Sequence, residues 1–179
     1  CRIPASKQSL AENGIDMGRF DRPAAVRTEL GIPDDALLVV SCSRLTRYKA
    51  VHRIVEASAQ IRTKRPDLNI HFVHIGDGPA LAEVMLRSAE LGVRDYWTFL
   101  GQRSPEEVAS HMLAADIGAH ASDGEAGLCL AILEMMAARL PVVAPDLPNI
   151  SASLINGATG YTYRPGDSEM MARRLIELA

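Results

Sequence analysis

Six short apolar runs alternate with segments of helical periodicity along this chain, and no other feature limits its fold as much. The runs cover residues 37–42, 69–75, 96–100, 116–120, 141–144 and 160–163. Each is short enough for a strand, and turn-forming residues bound most of them. Between the first two, Val51, Ile54, Val55, Ser58 and Ile61 share one face of a helix over 51–65 that Pro66 stops. Further helices are predicted over 79–91, closed by Gly92, from Ser104 to about Ala114, over 128–138 and 149–155, and from 168 onward. Ser104-Pro105-Glu106-Glu107 joins an N-cap hydroxyl, a proline at the first helical position and carboxylates at the positive end of the dipole. Strict strand–helix alternation predicts an α/β fold, a doubly wound Rossmann-like parallel sheet of about six strands with helices on both faces.

A length of 179 residues suits one such domain, and 47% hydrophobic with 23% charged residues excludes wholesale disorder. The longest apolar run, 128–133, falls far short of the roughly 18 residues a membrane span needs. No transmembrane segment is expected, which leaves peripheral membrane association of a full-length protein open. A net charge of −3 without a basic block argues against nucleic acid as a partner. Cys1, Cys42 and Cys129 are odd in number and lack CxxC spacing, which disfavours a disulfide framework or zinc knuckle and fits a reducing cytoplasm. The missing initiator Met and a helical pattern reaching Ala179 predict a piece of a longer protein. Residues 1–20 are weakly periodic and are expected to be a connector ahead of a domain over 21–179.

In the common strand order 3-2-1-4-5-6, ligands bind where the order reverses, beyond the carboxyl ends of the first and fourth strands. That rule selects the loop 43–49, with Ser43, Arg44, Arg47 and Lys49, and the loop 121–127, with Asp123, Glu125 and two glycines. GxGxxG is absent from the first loop and GxxxxGK[ST] from the whole chain, which removes the ordinary dinucleotide and P-loop readings. The second loop is expected to run into a helix starting near Gly127, whose free N–H groups suit an anion. Arg44 and Lys49 across from it would clamp a diphosphate; a solvated basic loop is the alternative. Gly76-Asp77-Gly78-Pro79 reads as a tight strand exit with Asp77 capping the next helix. His71 and His74 fall on opposite faces of one strand, against a shared metal. His120 reads as packed or hydrogen-bonded.

These residues resemble the C-terminal donor-binding domain of the retaining glycosyltransferases of family 4 (group 1), of GT-B architecture. The resemblance runs from Asn13 to the end. Its pieces are Asn13-Gly14-Ile15-Asp16 with Arg19-Phe20, the loop Arg44 to Lys49, Gly76-Asp77-Gly78-Pro79, Phe99-Leu100-Gly101 and Ala115-Asp116. Ser122 to Glu125, Leu133-Glu134 with Met136-Ala137, Leu140 to Ala144, and Asn156-Gly157 with Thr159-Gly160 complete it. The resemblance implies that Arg44 and Lys49 grip the donor diphosphate and that Glu125 lies close to the donor sugar. It further implies that Glu134 holds the ribose hydroxyls and that backbone amides around Gly127, Leu128, Cys129 and Leu130 bind the distal phosphate. Ser43 and Arg103 complete the donor site, with Arg103 on the loop that meets the base. No metal and no cofactor are expected, since cationic side chains and amides supply the electrostatics.

The sequence departs from the family pattern in four places. Glu125 and Glu134 are one residue too far apart for E-x7-E, which points to an insertion at Ala126. Ser43 and Ala50 replace glycines that usually flank the Arg–Lys loop, and Cys129 stands near a position usually held by glycine. The resemblance implies an enzyme fragment that binds a nucleoside-diphosphate-sugar and works on an acceptor held by a missing N-terminal domain. The altered spacing makes a catalytically inactive nucleotide-sugar-binding or regulatory module the rival, with a related GT-B epimerase more distant.

Overall fold

The computed structural model describes residues 4, 14–25, 27–125, 127 and 129–179. Among them six strands form one parallel sheet, β1 (Leu37–Cys42), β2 (Ile70–Ile75), β3 (Trp97–Gly101), β4 (Ile117–Ala119), β5 (Val142–Pro145) and β6 (Gly160–Tyr163). Their order is β3-β2-β1-β4-β5-β6, the doubly wound order expected from the alternation. The helices are α1 (His52–Lys64), α2 (Leu81–Glu90), α3 (Pro105–Leu113), α4 (Leu130–Ala137), α5 (Pro148–Ser151) and α6 (Ser168–Glu177).

Period-two alternation splits the core between the two faces of the sheet. Val39 and Phe72 point to one side, where Ile54, Val55 and Ile61 of α1 and Met171 and Leu175 of α6 cover them. Leu38, Val40, Val73 and Ile75 point to the other, against Met112 of α3 and Ile132 and Met135 of α4. On the first face Phe72, Trp97 and Phe99 form a stack with centroid spacings of 5.0 and 5.4 Å, and the indole N–H of Trp97 donates to Ser58 at 3.0 Å. Arg27 braces the lower end of β1 and β4. It donates to the carbonyls of Ala114 and Ala36 and pairs with Asp116 at 2.9 Å, while the other oxygen of Asp116 accepts the N–H of Leu38 at 2.7 Å. Asp116 thus keeps the Ala115-Asp116 position of the resemblance for structural reasons.

The predicted N-cap at Ser104 is present and is closed into a capping box by Glu107, with the Glu107 N–H donating to Ser104 at 3.2 Å and the Ser104 N–H to Glu107 at 2.8 Å. Two expectations fail. Asp77 does not cap α2; its carboxylate turns back to the N–H of Gly78 at 2.6 Å, and Ala80 stands at the N-cap without a side-chain bond. The helix expected over 149–155 is only Pro148–Ser151, because Ile155 and Asn156 are drawn into the turn that leads to β6. Of the expected connector, residues 1–3 and 5–13 lie outside the described residues; Asp16 caps the turn Met17–Phe20, and Phe20 packs on the α3–α4 side of the core.

Two backbone positions test this packing. The Cβ of an alanine at Gly76, whose φ is +136°, would lie 2.0 Å from the Ser43 carbonyl oxygen. Gly76→Ala is therefore expected to destabilise the chain by about 2 kcal/mol or more. Arg139, exposed and at φ 63°, closes α4 in a Schellman turn, with its own N–H on the Met136 carbonyl and that of Leu140 on Met135. A glycine there relieves the left-handed strain at a smaller entropic cost, so Arg139→Gly should stabilise by up to about 1 kcal/mol. Thermal melts check both, at roughly 2–4 °C per kcal/mol for a chain of this size.

Candidate functional site

The strand order reverses between β1 and β4, and α1 and α4 leave toward opposite faces, so the crevice opens where expected. The β1 loop is held from below by the β2 loop. Leu45 donates its N–H to the Asp77 carbonyl at 2.9 Å and accepts from Ala80 at 3.0 Å, and Gly76 and Gly78 leave room for the backbone at Ser43 and Leu45. Buried His74 fixes the same turn. One ring nitrogen contacts the Ser43 carbonyl at 3.1 Å and the other the Ser41 hydroxyl at 2.8 Å; burial holds its pKa down at about 4, so it is neutral.

Arg44 is exposed and, among the described residues, makes no side-chain hydrogen bond or ion pair. Together with Ser43, Gly76, Asp77, Gln102 and Arg103 it lines a cleft of about 640 Å³ between the ends of β1, β2 and β3. Cys42 also reaches this cleft, with its thiol pushed up to about 12 by burial and the neighbouring Glu134 and Cys129 charges. Arg103 contributes backbone and side chain at the rim, its guanidinium donating to the Gln102 carbonyl at 2.9 Å.

Lys49 stands apart from Arg44. Its ammonium donates to Glu125 Oε1 at 2.6 Å, and both side chains are largely covered, at 15% and 10% exposure. His120 Nε2 meets the same carboxylate oxygen at 2.9 Å, and the Cys129 sulfur lies 3.6 Å from that nitrogen. Burial opposes every charge here, yet pairing prevails. Burial raises and the bonds to His120 and Lys49 lower the Glu125 carboxyl, to about 2. Burial lowers His120, but its bonds to Cys129 and Glu125 leave it raised; burial raises the Cys129 thiol, and His120 pulls it below its ordinary value. The loops are also stitched directly. Asp123 N–H donates to the Tyr48 carbonyl at 2.7 Å, Arg53 pairs with Asp123 at 2.7 Å, and Asn149 donates to the Glu125 carbonyl at 2.7 Å.

The helix expected to bind an anion begins later than predicted. α4 starts at Leu130, with Cys129 extended at φ −79°, ψ 100° and its sulfur tied back to His120. Gly127 therefore lies before the helix and Leu128 outside the described residues, so the first turn offers the N–H groups of Leu130 and Ala131. No side chain caps this end. Glu134, on the next turn, is half-buried with a raised pKa; burial outweighs the nearby Arg19. Among the described residues it accepts no side-chain hydrogen bond.

The structure therefore joins Lys49 to Glu125, and Ser43 and Arg44 to Arg103, as two adjoining groups. The sequence reading missed His120 and Asn149 as partners of Glu125, and missed Gly76 and Gly78 as the wall of a cleft. The GDG run carried that signal, because paired glycines mark a close backbone approach as well as a turn.

The family model described as glycosyl transferases group 1 matches residues 36–179. The chain belongs to the group 1 glycosyltransferases. A D-inositol 3-phosphate glycosyltransferase of Streptomyces avermitilis is 29% identical over 97% of this chain and 39% of its own length. An alpha-monoglucosyldiacylglycerol synthase of Streptococcus pneumoniae is 32% identical over 83% of this chain and 35% of its own. The chain thus spans less than half the length of these curated relatives. Among solved structures, Anabaena Alr3699/HepE in complex with UDP-glucose matches with a TM-score of 0.80 at 26% identity, over 92% of this chain and 46% of that one. The C-terminal domain of a glycosyl transferase group 1 family protein (LpcC) from Francisella tularensis matches with 0.77 at 26% identity, over 92% and 87%. The sheet is that of the C-terminal domain of a GT-B glycosyltransferase, as the motifs implied.

In this group 1 domain the surroundings favour ionisation of Glu125 despite its burial. Its folded pKa of about 2 lies below the unfolded value of about 4.3. Its contribution to stability is therefore complete above about pH 4.3 and lost as pH falls through 2. The share due to raised His120 runs the other way and fades as pH rises through that group's folded pKa. Glu125→Gln is expected to lower the urea midpoint at pH 6, with a deficit that narrows toward pH 3. A deficit that widened on acidification would contradict the pairing.

Proposed function

We propose that residues 21–179 are the donor-binding domain of a retaining glycosyltransferase, which takes a nucleoside-diphosphate-sugar and passes the sugar to an acceptor held by an N-terminal domain. Residues 1–20 act as the connector between the two. The observation that carries this reading is the coincidence of two cations and an uncapped helix start where the sheet order reverses, with a cleft adjoining them over the ends of β1, β2 and β3. The nucleoside fits the cleft bounded by Ser43, Gly76 and Arg103. Arg44 and Lys49 meet the diphosphate from the β1 side, and the amides of Leu130 and Ala131 face it from α4. Glu134, carrying a desolvated carboxylate with room for hydroxyl donors, takes the ribose. Glu125 lies beside Lys49, where a donor sugar follows its phosphate. The UDP-glucose complex of Alr3699/HepE supports a nucleotide-sugar as the ligand class.

Departure of the nucleoside diphosphate places new charge on the distal phosphate, and donors already aimed at that oxygen lower the barrier without reorganisation. No metal or cofactor is needed for that step. Three cysteines without disulfide spacing support a cytoplasmic setting, and no helix among the described residues is long and apolar enough to cross a membrane.

Calorimetry with UDP, GDP and ADP at millimolar concentration tests donor binding by the chain itself. One of the three is expected to bind, and Arg44→Ala or Lys49→Ala should weaken it by roughly tenfold or more, since hydrogen bonds to charged groups contribute about 1.5–3 kcal/mol. Silence with all three nucleotides would sink the proposal. Sugar transfer by the full-length protein, with Glu134→Ala as control, separates an enzyme from a module that binds without turning over; product analysis separates transfer from epimerisation.

A further inference from the structure

Next to Lys49 three side chains bring together the donor atoms of a metal site. His120 Nε2, Glu125 Oε1 and Cys129 Sγ all lie within 4.8 Å of one another. The imidazole nitrogen is 3.6 Å from the sulfur and 2.9 Å from the carboxylate oxygen. Zinc bonds of about 2.0–2.1 Å to nitrogen and oxygen and about 2.3 Å to sulfur place tetrahedral ligands about 3.3–3.6 Å apart. The sulfur–nitrogen edge already has that length, and the nitrogen–oxygen edge needs to open by only a few tenths of an ångström.

We propose that His120, Glu125 and Cys129 form a three-ligand site for a zinc-class divalent ion, with the fourth position open to water. The ligand set selects the metal. A thiolate beside an imidazole suits zinc and is poorly matched to magnesium or calcium, which take oxygen. Position 129 also favours the thiolate, since Cys129 stands at the uncapped N-terminus of α4, where the helix dipole stabilises negative charge. Binding releases the thiol proton and the proton that His120 Nε2 shares with the ionised Glu125 carboxylate, both to solvent, and draws Glu125 away from Lys49. The ion is a competitor of the Lys49–Glu125 pair. Occupancy is read with the metal alone, so this site stands or falls apart from the donor-binding reading.

The test titrates zinc into the chain against a chromogenic chelator. One zinc per chain is expected to be retained in the presence of excess magnesium. Cys129→Ser and His120→Gln should each weaken binding at least about tenfold, a loss that even outer-shell changes commonly reach. Cys1→Ser and Cys42→Ser should leave binding unchanged, and Lys49→Met should tighten it several-fold by removing the competing cation. Cobalt substituted into the unaltered chain reads the sulfur ligand without any variant, through a thiolate-to-cobalt charge-transfer band and the strong visible absorption of tetrahedral coordination. Failure to retain zinc against the chelator, zinc binding that survives Cys129→Ser, or a cobalt spectrum without the thiolate band would each overturn the assignment.

Discussion

The helices that follow β1 and β4 leave toward opposite faces of the sheet, so no regular element closes the gap between their loops. Everything else at the site answers that constraint. β1 and β4 are themselves paired over only Val39–Ile117 and Val40–Gly118, and beyond those pairs the loops rely on side chains to stay together. The bridge is the Lys49–Glu125 ion pair, supported by His120 on the same oxygen and by Asp123 on the Tyr48 carbonyl. Buried charges are costly unless paired, and here Lys49 and His120 both lie within hydrogen-bonding distance of Glu125.

The β1 loop is rigid for a different reason. Its backbone lies so close to Gly76 and Gly78 that a side chain at either position would enter the space of a carbonyl group. His74, neutral and buried, reaches up from β2 to the Ser43 carbonyl and fixes the turn from inside. Arg44 is thus an exposed side chain, without a side-chain partner among the described residues, on a closely packed backbone, an arrangement that positions a cation without neutralising it. Lys49 ends a short helical turn, Arg47–Lys49, capped by Ala50, which is left-handed at φ 48° and fully buried. The strain of a non-glycine residue there is carried by the packing around its methyl group.

Much of this was legible in the chain alone. The ends of β1 and β6 and the Ser104 N-cap of α3 agree with the sequence reading residue for residue, because alternation and capping are local and strong. The crevice followed from strand order, which follows from handedness. What was not legible depends on distant contacts. The start of α4 moved from Gly127 to Leu130 because the Cys129 sulfur bonds a histidine nine residues away, and nothing in the local pattern records that bond. Asp77 looked like a helix cap, a common role for Asp two or three residues before a helix, but its carboxylate turns to the adjacent Gly78 N–H. Lys49 and Glu125 were both singled out, yet for separate contacts with a ligand; that they hold each other requires the fold.

That mutual hold changes how an anion would meet the site. A free lysine facing a crevice would attract phosphate with its full charge, whereas Lys49 spends much of its field on Glu125 at 2.6 Å. An incoming diphosphate must divide the ammonium with the carboxylate, or displace it. Arg44 carries no such partner among the described residues and is exposed, so long-range attraction falls mainly to it. Lys49 then acts only at contact distance, after desolvation has strengthened its remaining hydrogen-bonding capacity. On the proposed donor-binding reading Arg44 and Lys49 would therefore differ in task, one reaching outward and one waiting in a neutralised pair. The physical basis of that division lies in the opposite loop, in a single carboxylate held ionised by a buried histidine.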